Sequence, residues 1–155
     1  MSDSATLATR MVHTLPGWGL WANDLRDFET PFGKIGFRQA SVLWVLRKQI
    51  LPEPQQTPTN IAKYFGVQNS AITRAVDKLE QGGYVIRNIS SLDKRVHYLV
   101  PTQKGNDVSE WIERLYTASL QKELDTLDSA TRASLLEHVE LLHDILARIR
   151  QVPTV

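Results

Sequence analysis

Five polar side chains between residues 68 and 74 have the chemistry to bind DNA: Gln68, Asn69, Ser70, Thr73 and Arg74. Asn and Gln can pair with adenine through two hydrogen bonds, Arg can do the same with guanine, and Ser and Thr suit bases or phosphates. The same residue types also commonly cap the first turn of a helix. Taken alone, the run leaves open a DNA-reading surface and a simple helix cap.

A second charged group, Asp93, Lys94 and Arg95, lies in a polar stretch further along the chain. Arg95 is long enough to enter a DNA minor groove, and a carboxylate two residues earlier can accept hydrogen bonds from a guanidinium. Composition alone predicts a solvated turn here. The predicted helices and strands around the two groups therefore distinguish DNA contact from a helix cap or a solvated turn.

The first group lies at the start of the second of two short predicted helices. Thr57-Pro58 is typical of an N-cap followed by proline in the first turn, and Gly66 is typical of a helix end. Apolar residues at helical spacing then predict a helix over Asn69–Gln81, which Gly82-Gly83 ends. Two short helices joined by a tight turn indicate a helix-turn-helix.

The second group lies in a predicted β-hairpin that follows directly. Tyr84–Ile89 and Val96–Val100 are rich in strand-forming residues, and Ser90–Arg95 joins them. Helical periodicity covers three further segments: residues 36–51, 102–127 and 131–152.

The N-terminal region has an apolar helical stripe made of Trp18, Trp21, Leu25 and Phe28. Pro16-Gly17 precedes this stripe and either breaks a longer first helix or starts a new one. In the last predicted helix, five apolar residues recur at alternating spacings of four and three, which is the pattern of a helix-packing seam. These residues are Leu135, Val139, Leu142, Leu146 and Ile149.

A helix-turn-helix followed at once by a hairpin is a winged helix, and three runs make the resemblance specific. They are TRAVDKLEQGGYVIR from Thr73, Asp93-Lys94-Arg95, and LVPTQKG ending at Gly105. Together they resemble the MarR family of bacterial transcriptional regulators, over about seventy residues from Phe37 to Gly105. Two positions depart from the family pattern. Gln68 stands where Ser is frequent, so Asn69 or Ser70 is an alternative cap, and Pro101-Thr102 replaces Leu-Thr.

The resemblance implies a mainly α fold: a three-helix core with a β-hairpin wing, flanked by N- and C-terminal dimerisation helices. The expected divisions are residues 1–35, 36–105 and 106–155. It implies a homodimer on double-stranded operator DNA, with Gln68, Asn69, Ser70, Thr73 and Arg74 in the major groove. Arg95, oriented by Asp93, would enter the minor groove, and Lys94 would meet a phosphate.

Proteins of this kind also place a cleft between their dimerisation helices and the winged helix, where small aromatic or phenolic effectors bind. Trp18, Trp21 and Trp44 lie on elements that would enclose such a cleft, although core tryptophans are commoner than pocket tryptophans. The resemblance implies a repressor that its effector releases from DNA.

Composition narrows the remaining function classes. The chain has 155 residues and no cysteine, which excludes disulfide scaffolds, thiolate metal sites and cysteine nucleophiles. No metal-ligand spacing or convergent ionisable group stands out, so we expect no enzyme activity, no metal and no cofactor. The longest apolar run is too short to cross a membrane, and we expect a cytoplasmic protein. The alternative function is a winged-helix module that binds other proteins without specific DNA binding.

The net charge of +1 at first argues against a nucleic-acid partner. Residues 1–58 carry six basic and five acidic groups, residues 59–105 seven and three, and residues 106–155 five and nine. The small total is therefore a cancellation between +1, +4 and −4. The positive charge coincides with the predicted helix-turn-helix and wing.

Overall fold

A computed structural model describes residues 5–6 and 27–149; in the last helix it describes side chains through Leu142 and that of Asp144. The described residues form five helices and two hairpins. In chain order these are β1 (Phe28–Thr30), β2 (Gly33–Ile35), α1 (Phe37–Arg47), α2 (Pro58–Phe65), α3 (Asn69–Gln81), β3 (Val85–Ile89), β4 (His97–Pro101), α4 (Gln103–Leu124) and α5 (Ser129–Ile149). The mainly helical fold class is confirmed.

The chain divides into two compact units, residues 17–112 and residues 1–16 with 113–155. The boundary falls within α4, after Ile112. The first unit holds both hairpins and helices α1 to α3. None of the described helices is long and apolar enough to span a bilayer.

The hairpin of β1 and β2 corrects one prediction. Phe28, expected in a helical stripe, opens β1 and pairs with Ile35 in antiparallel register. The Thr30 hydroxyl closes the turn by donating to the Gly33 carbonyl at 2.6 Å. Each strand has three residues, and such short segments fit helical and strand spacing equally well. The rest of the expected stripe, with Trp18 and Trp21, lies outside the described residues.

Helix α1 buries the broad apolar face that its sequence predicts, with Ala40, Val42, Leu43, Val45 and Leu46 all inside. It ends at Arg47, before the predicted limit at residue 51. The backbone of Gln49 has a φ of 51°, a left-handed conformation that does not continue a helix.

The helix-turn-helix follows its local sequence signals closely. The Thr57 hydroxyl accepts a hydrogen bond from the Asn60 amide at 3.2 Å, and Pro58 occupies the first turn of α2. Gly66 ends α2 with a φ of 65°, which glycine adopts at little cost. Helix α3 covers Asn69–Gln81, as predicted.

Apolar side chains from α1 to α3 and from both hairpins form the core of residues 17–112. The large side chains with almost no exposed surface include Ile35, Leu43, Leu46, Ile61, Ile72, Leu79 and Leu99. Strand β4 joins this core through Leu99, whose amide also donates to the Gln56 carbonyl at 2.8 Å. The wing is thereby attached to the helices.

The other unit contains the end of α4 and all of α5. Leu124 is buried there among half-buried Leu120, Leu127, Leu135, Leu136 and Val139. Asp128 precedes α5 and accepts hydrogen bonds from the Thr131 hydroxyl at 2.6 Å and from its amide at 2.9 Å. These bonds lower the pKa of the Asp128 carboxyl. They also start the helix at Ser129, two residues before the predicted Thr131.

Candidate nucleic-acid interface

The N-terminal end of α3 exposes the polar residues that the sequence singled out. Gln68, Asn69, Ser70 and Arg74 are exposed and Thr73 is half-buried. The opposite face of the helix is buried through Ile72, Ala75, Val76 and Leu79, and this fixes which side faces outward. At a rise of about 1.5 Å per residue, the thirteen residues of α3 span roughly 20 Å.

Few of these side chains form hydrogen bonds within the protein. Gln68 stands at the N-cap position without a side-chain cap, and the helix starts at Asn69, so the alternative caps Asn69 and Ser70 are not used. The Thr73 hydroxyl donates to the Asn69 carbonyl at 3.0 Å, and Arg74 Nε donates to the Ser70 carbonyl at 3.2 Å. The outer nitrogens of Arg74 and the amide of Gln68 remain available to a ligand.

The wing consists of β3, β4 and the loop of residues 90–96 between them. The strands pair in antiparallel register from Val85 with Pro101 to Ile89 with His97. Ser90 is only 3% exposed, and its hydroxyl accepts hydrogen bonds from the amides of Leu92 at 3.2 Å and Asp93 at 3.4 Å. These bonds connect the loop to the end of β3.

Asp93 contacts Arg95 in the loop of the wing. Its Oδ1 atom accepts the Arg95 amide at 2.9 Å and lies 3.5 Å from Arg95 Nε. The Arg95 side chain is 94% exposed, so this contact contributes little to stability. The Arg95 guanidinium is therefore almost completely open to solvent.

Two basic side chains of residues 59–105 contact other groups of the protein. Arg87 on β3 lies 3.2 Å from Asp77 and 3.0 Å from Glu80, both on α3. Lys104 donates to the Gly82 carbonyl at 2.9 Å, where α3 ends. Within the described part of the chain, the exposed cations Lys63, Arg74, Lys78 and Lys94 contact no carboxylate, and Arg95 contacts only Asp93. We call these five residues the outward cations.

A junction that sequence reasoning missed joins the end of α3, the start of the wing and the first hairpin. The Tyr84 hydroxyl donates to the Phe32 carbonyl at 2.7 Å, and Lys104 Nζ lies 4.2 Å from the centre of the Tyr84 ring. Gly105 packs so closely on the Tyr84 backbone that a Cβ atom would overlap its carbonyl oxygen. The sequence signal was the glycine itself, inside a helical pattern.

Trp44, the one predicted effector-site residue among the described residues, is half-buried on α1. Its Nε1 atom is buried and has no hydrogen-bond partner in the structure described. One turn along, Arg47 Nε donates to the buried Ser109 hydroxyl at 3.1 Å. Burial lowers the pKa of the Arg47 guanidinium, while the Glu110 carboxylate acts in the opposite direction.

The predicted dimerisation residues have different surroundings. Leu135 and Val139 pack near Leu124 within the chain, whereas Leu142 is 42% exposed. The side chains of Leu146 and Ile149 lie outside the described part. Among the described residues no three His, Asp or Glu side chains are grouped to hold a metal ion.

Comparison with known proteins shows which family this geometry resembles. Residues 38–97 match the model of the MarR family. The FabT structure from Streptococcus pneumoniae, in complex with DNA, is 24% identical and has a TM-score of 0.63, with 86% of this chain and 89% of that chain covered. The transcriptional regulator BldR from Sulfolobus solfataricus is 29% identical, with a TM-score of 0.57 and coverage of 74% and 75%. The MepR–DNA complex from S. aureus is 18% identical, with a TM-score of 0.54 and coverage of 72% and 80%. The predicted resemblance to the MarR family is confirmed over residues 38–97, and the similar solved structures support the winged helix-turn-helix fold.

Proposed function

We propose that this chain is a transcriptional regulator that binds double-stranded operator DNA sequence-specifically through α3 and the wing. One observation carries the proposal: the exposed polar end of α3 and the projecting Arg95 belong to the segment with a net charge of +4. The MarR family match and the similarity to proteins solved with DNA support it. In this proposal the chain has no enzyme activity and acts in the cytoplasm.

The contacts follow from groove dimensions. A helix about 20 Å long enters the major groove, where Gln68, Asn69 and Arg74 reach base edges first. Thr73 and Ser70 contact bases or phosphates. Lys94 meets a phosphate, and Arg95 enters the adjacent minor groove with Asp93 holding its direction.

The proposal includes a homodimer. Residues 1–35 and 106–155 form the dimerisation regions, residues 36–105 the DNA-binding domain, and the exposed Leu142 is part of the interface. A twofold axis would present two copies of α3 to successive major grooves about 34 Å apart on a pseudopalindromic operator.

A small aromatic or phenolic effector would release this repressor from DNA. The buried indole N–H of Trp44 supports this step, because a buried donor without a partner is costly and a ligand oxygen would satisfy it. Trp18 and Trp21 are expected to complete the cleft.

A gel shift on DNA from upstream of the gene for this chain tests the function. Arg74→Ala and Arg95→Ala should each weaken binding at least about tenfold without changing the mass of the dimer in solution. Lys122→Ala removes an exposed cation from α4 and serves as the matched control. Wild-type affinity in both arginine variants would exclude the proposed interface.

Titration of the complex with aromatic acids tests the effector step. Loss of the shifted band should accompany a change in tryptophan fluorescence, and Trp44→Phe should weaken the response while keeping DNA affinity. A Trp44→Phe protein with an unchanged response would exclude Trp44 from the effector site.

A further inference from the structure

Leu92 is the most exposed large apolar side chain that the structure describes. It is 88% exposed at the tip of the wing, and the next is Ile89 at 58%, three residues earlier. A single exposed leucine needs no explanation by itself. This one, however, lies in a hydrogen-bonded loop next to two cations, Lys94 and Arg95.

The loop geometry keeps Leu92 pointing outward. Its amide donates to the buried Ser90 hydroxyl at 3.2 Å, so its backbone is fixed to the base of the loop. The loop closes through a bond from the Ser90 amide to the Val96 carbonyl at 2.9 Å. Leu92 therefore cannot retract into the core without breaking these bonds.

We propose that Leu92 is an apolar contact in the minor groove, packed against deoxyribose beside the guanidinium of Arg95. The inference rests on the proposed DNA-binding function. Proteins that bind the minor groove frequently combine Arg or Lys with an inserted apolar side chain. The C–H groups of deoxyribose line the walls of this groove and offer an apolar surface. The neighbouring cations Lys94 and Arg95 favour DNA, a polyanion, over a protein as the partner of Leu92. Leu92 and Ile89 also offer too little apolar area for a stable protein interface.

The contribution of such a contact to DNA affinity should be the same at every salt concentration. Burial of an aliphatic side chain releases no counterions, whereas a lysine on a phosphate does. Leu92 and Lys94 are two residues apart in the same loop, so their variants form a matched pair that separates the two contributions.

The test is the dissociation constant of Leu92→Ala, Leu92→Met and Lys94→Ala on the upstream DNA fragment that wild type binds, measured over a range of salt concentrations. Leu92→Ala should lose about tenfold in affinity at every salt concentration and keep the wild-type slope. Leu92→Met, which conserves volume, should stay within about threefold of wild type. Lys94→Ala should lose affinity mainly at low salt and show a shallower slope.

Leu92→Ala affinity within twofold of wild type throughout would overturn the inference, as would a loss that comes with a shallower slope. Thermal melts of the variants should match wild type, because the side chain touches little of the protein. Failure of the wild-type protein to bind any upstream fragment would instead refute the proposed function.

Discussion

The outward cations Lys63, Arg74, Lys78, Lys94 and Arg95 should make operator binding steeply dependent on salt. Each cation that approaches a phosphate releases condensed counterions, and the logarithm of the binding constant falls by about 0.9 per neutralised phosphate for each unit of log salt. Arg87 and Lys104 are excluded from the count, because both are already engaged within the protein.

The number of contacts sets the expected slope. With Arg74, Lys94 and Arg95 alone, a dimer brings about six cations into the grooves or onto phosphates, and the release of one condensed counterion by each cation gives a slope of roughly −5. With Lys63 and Lys78 added, about ten cations give roughly −9. Between 50 and 200 mM salt, these slopes correspond to losses of about 10³ to 10⁵ in affinity. A single protomer on DNA would show half of either slope.

Fluorescence anisotropy of a labelled operator over that salt range measures the slope directly. The variant Lys78→Gln distinguishes the two limits: it should reduce the slope by about 2 in a dimer if Lys78 reaches a phosphate, and leave it unchanged otherwise. Lys122→Gln, on α4, should leave the slope unchanged. A wild-type slope near zero would refute the electrostatic reasoning and favour a winged helix that binds protein. Equal effects of Lys122→Gln and Arg74→Gln would refute the assigned surface.

Three further predictions concern the scaffold and are checked by urea or thermal unfolding of single variants. Gly105→Ala should destabilise the protein by about 1 to 3 kcal/mol or more, since its Cβ overlaps backbone atoms of Tyr84 that cannot rotate away; unchanged stability would contradict the close packing. Tyr84→Phe should cost about 1 kcal/mol through loss of the part-buried hydrogen bond to the Phe32 carbonyl. Thr57→Ala should cost about 1 kcal/mol by removing the cap on the Asn60 amide, whereas Thr57→Ser should stay near wild type.

The sequence predicts the helix-turn-helix well because its signals are local. Thr57-Pro58 and Gly66 each determine a helix end within one turn, so both limits of α2 are predicted. The apolar positions of α3 share one face, which exposes the residues expected to read DNA. The Asp93–Arg95 contact joins residues two apart, which makes it possible by spacing, while only the family resemblance assigns the pair a role in DNA binding.

Features that depend on distant residues were beyond prediction. The Tyr84 hydroxyl meets a carbonyl 52 residues earlier in the chain. Arg87 counts as a cation in the sequence, but two carboxylates on α3 neutralise it across the helix–strand junction. The spacing of Phe28 from Trp18, Trp21 and Leu25 predicts a helix. The three-residue strand depends instead on pairing with Ile35, which the spacing of apolar residues does not reveal.

The ion pairs of Arg87 with Asp77 and Glu80 restrict how an effector could act. Helix α3 and the wing, the two elements proposed to contact DNA, contribute Leu79 and Leu99 to one core. Arg87 joins them again at the surface through Asp77 and Glu80. Moving the wing relative to α3 would break these ion pairs and disturb buried Leu99, whose amide is bonded as well. A ligand that instead changes the distance between the two copies of α3 in the dimer would keep these contacts within each protomer. Under the proposed mechanism, release from DNA should therefore lower the affinity of a two-half-site operator far more than that of a single half-site, and equal losses on both would contradict it.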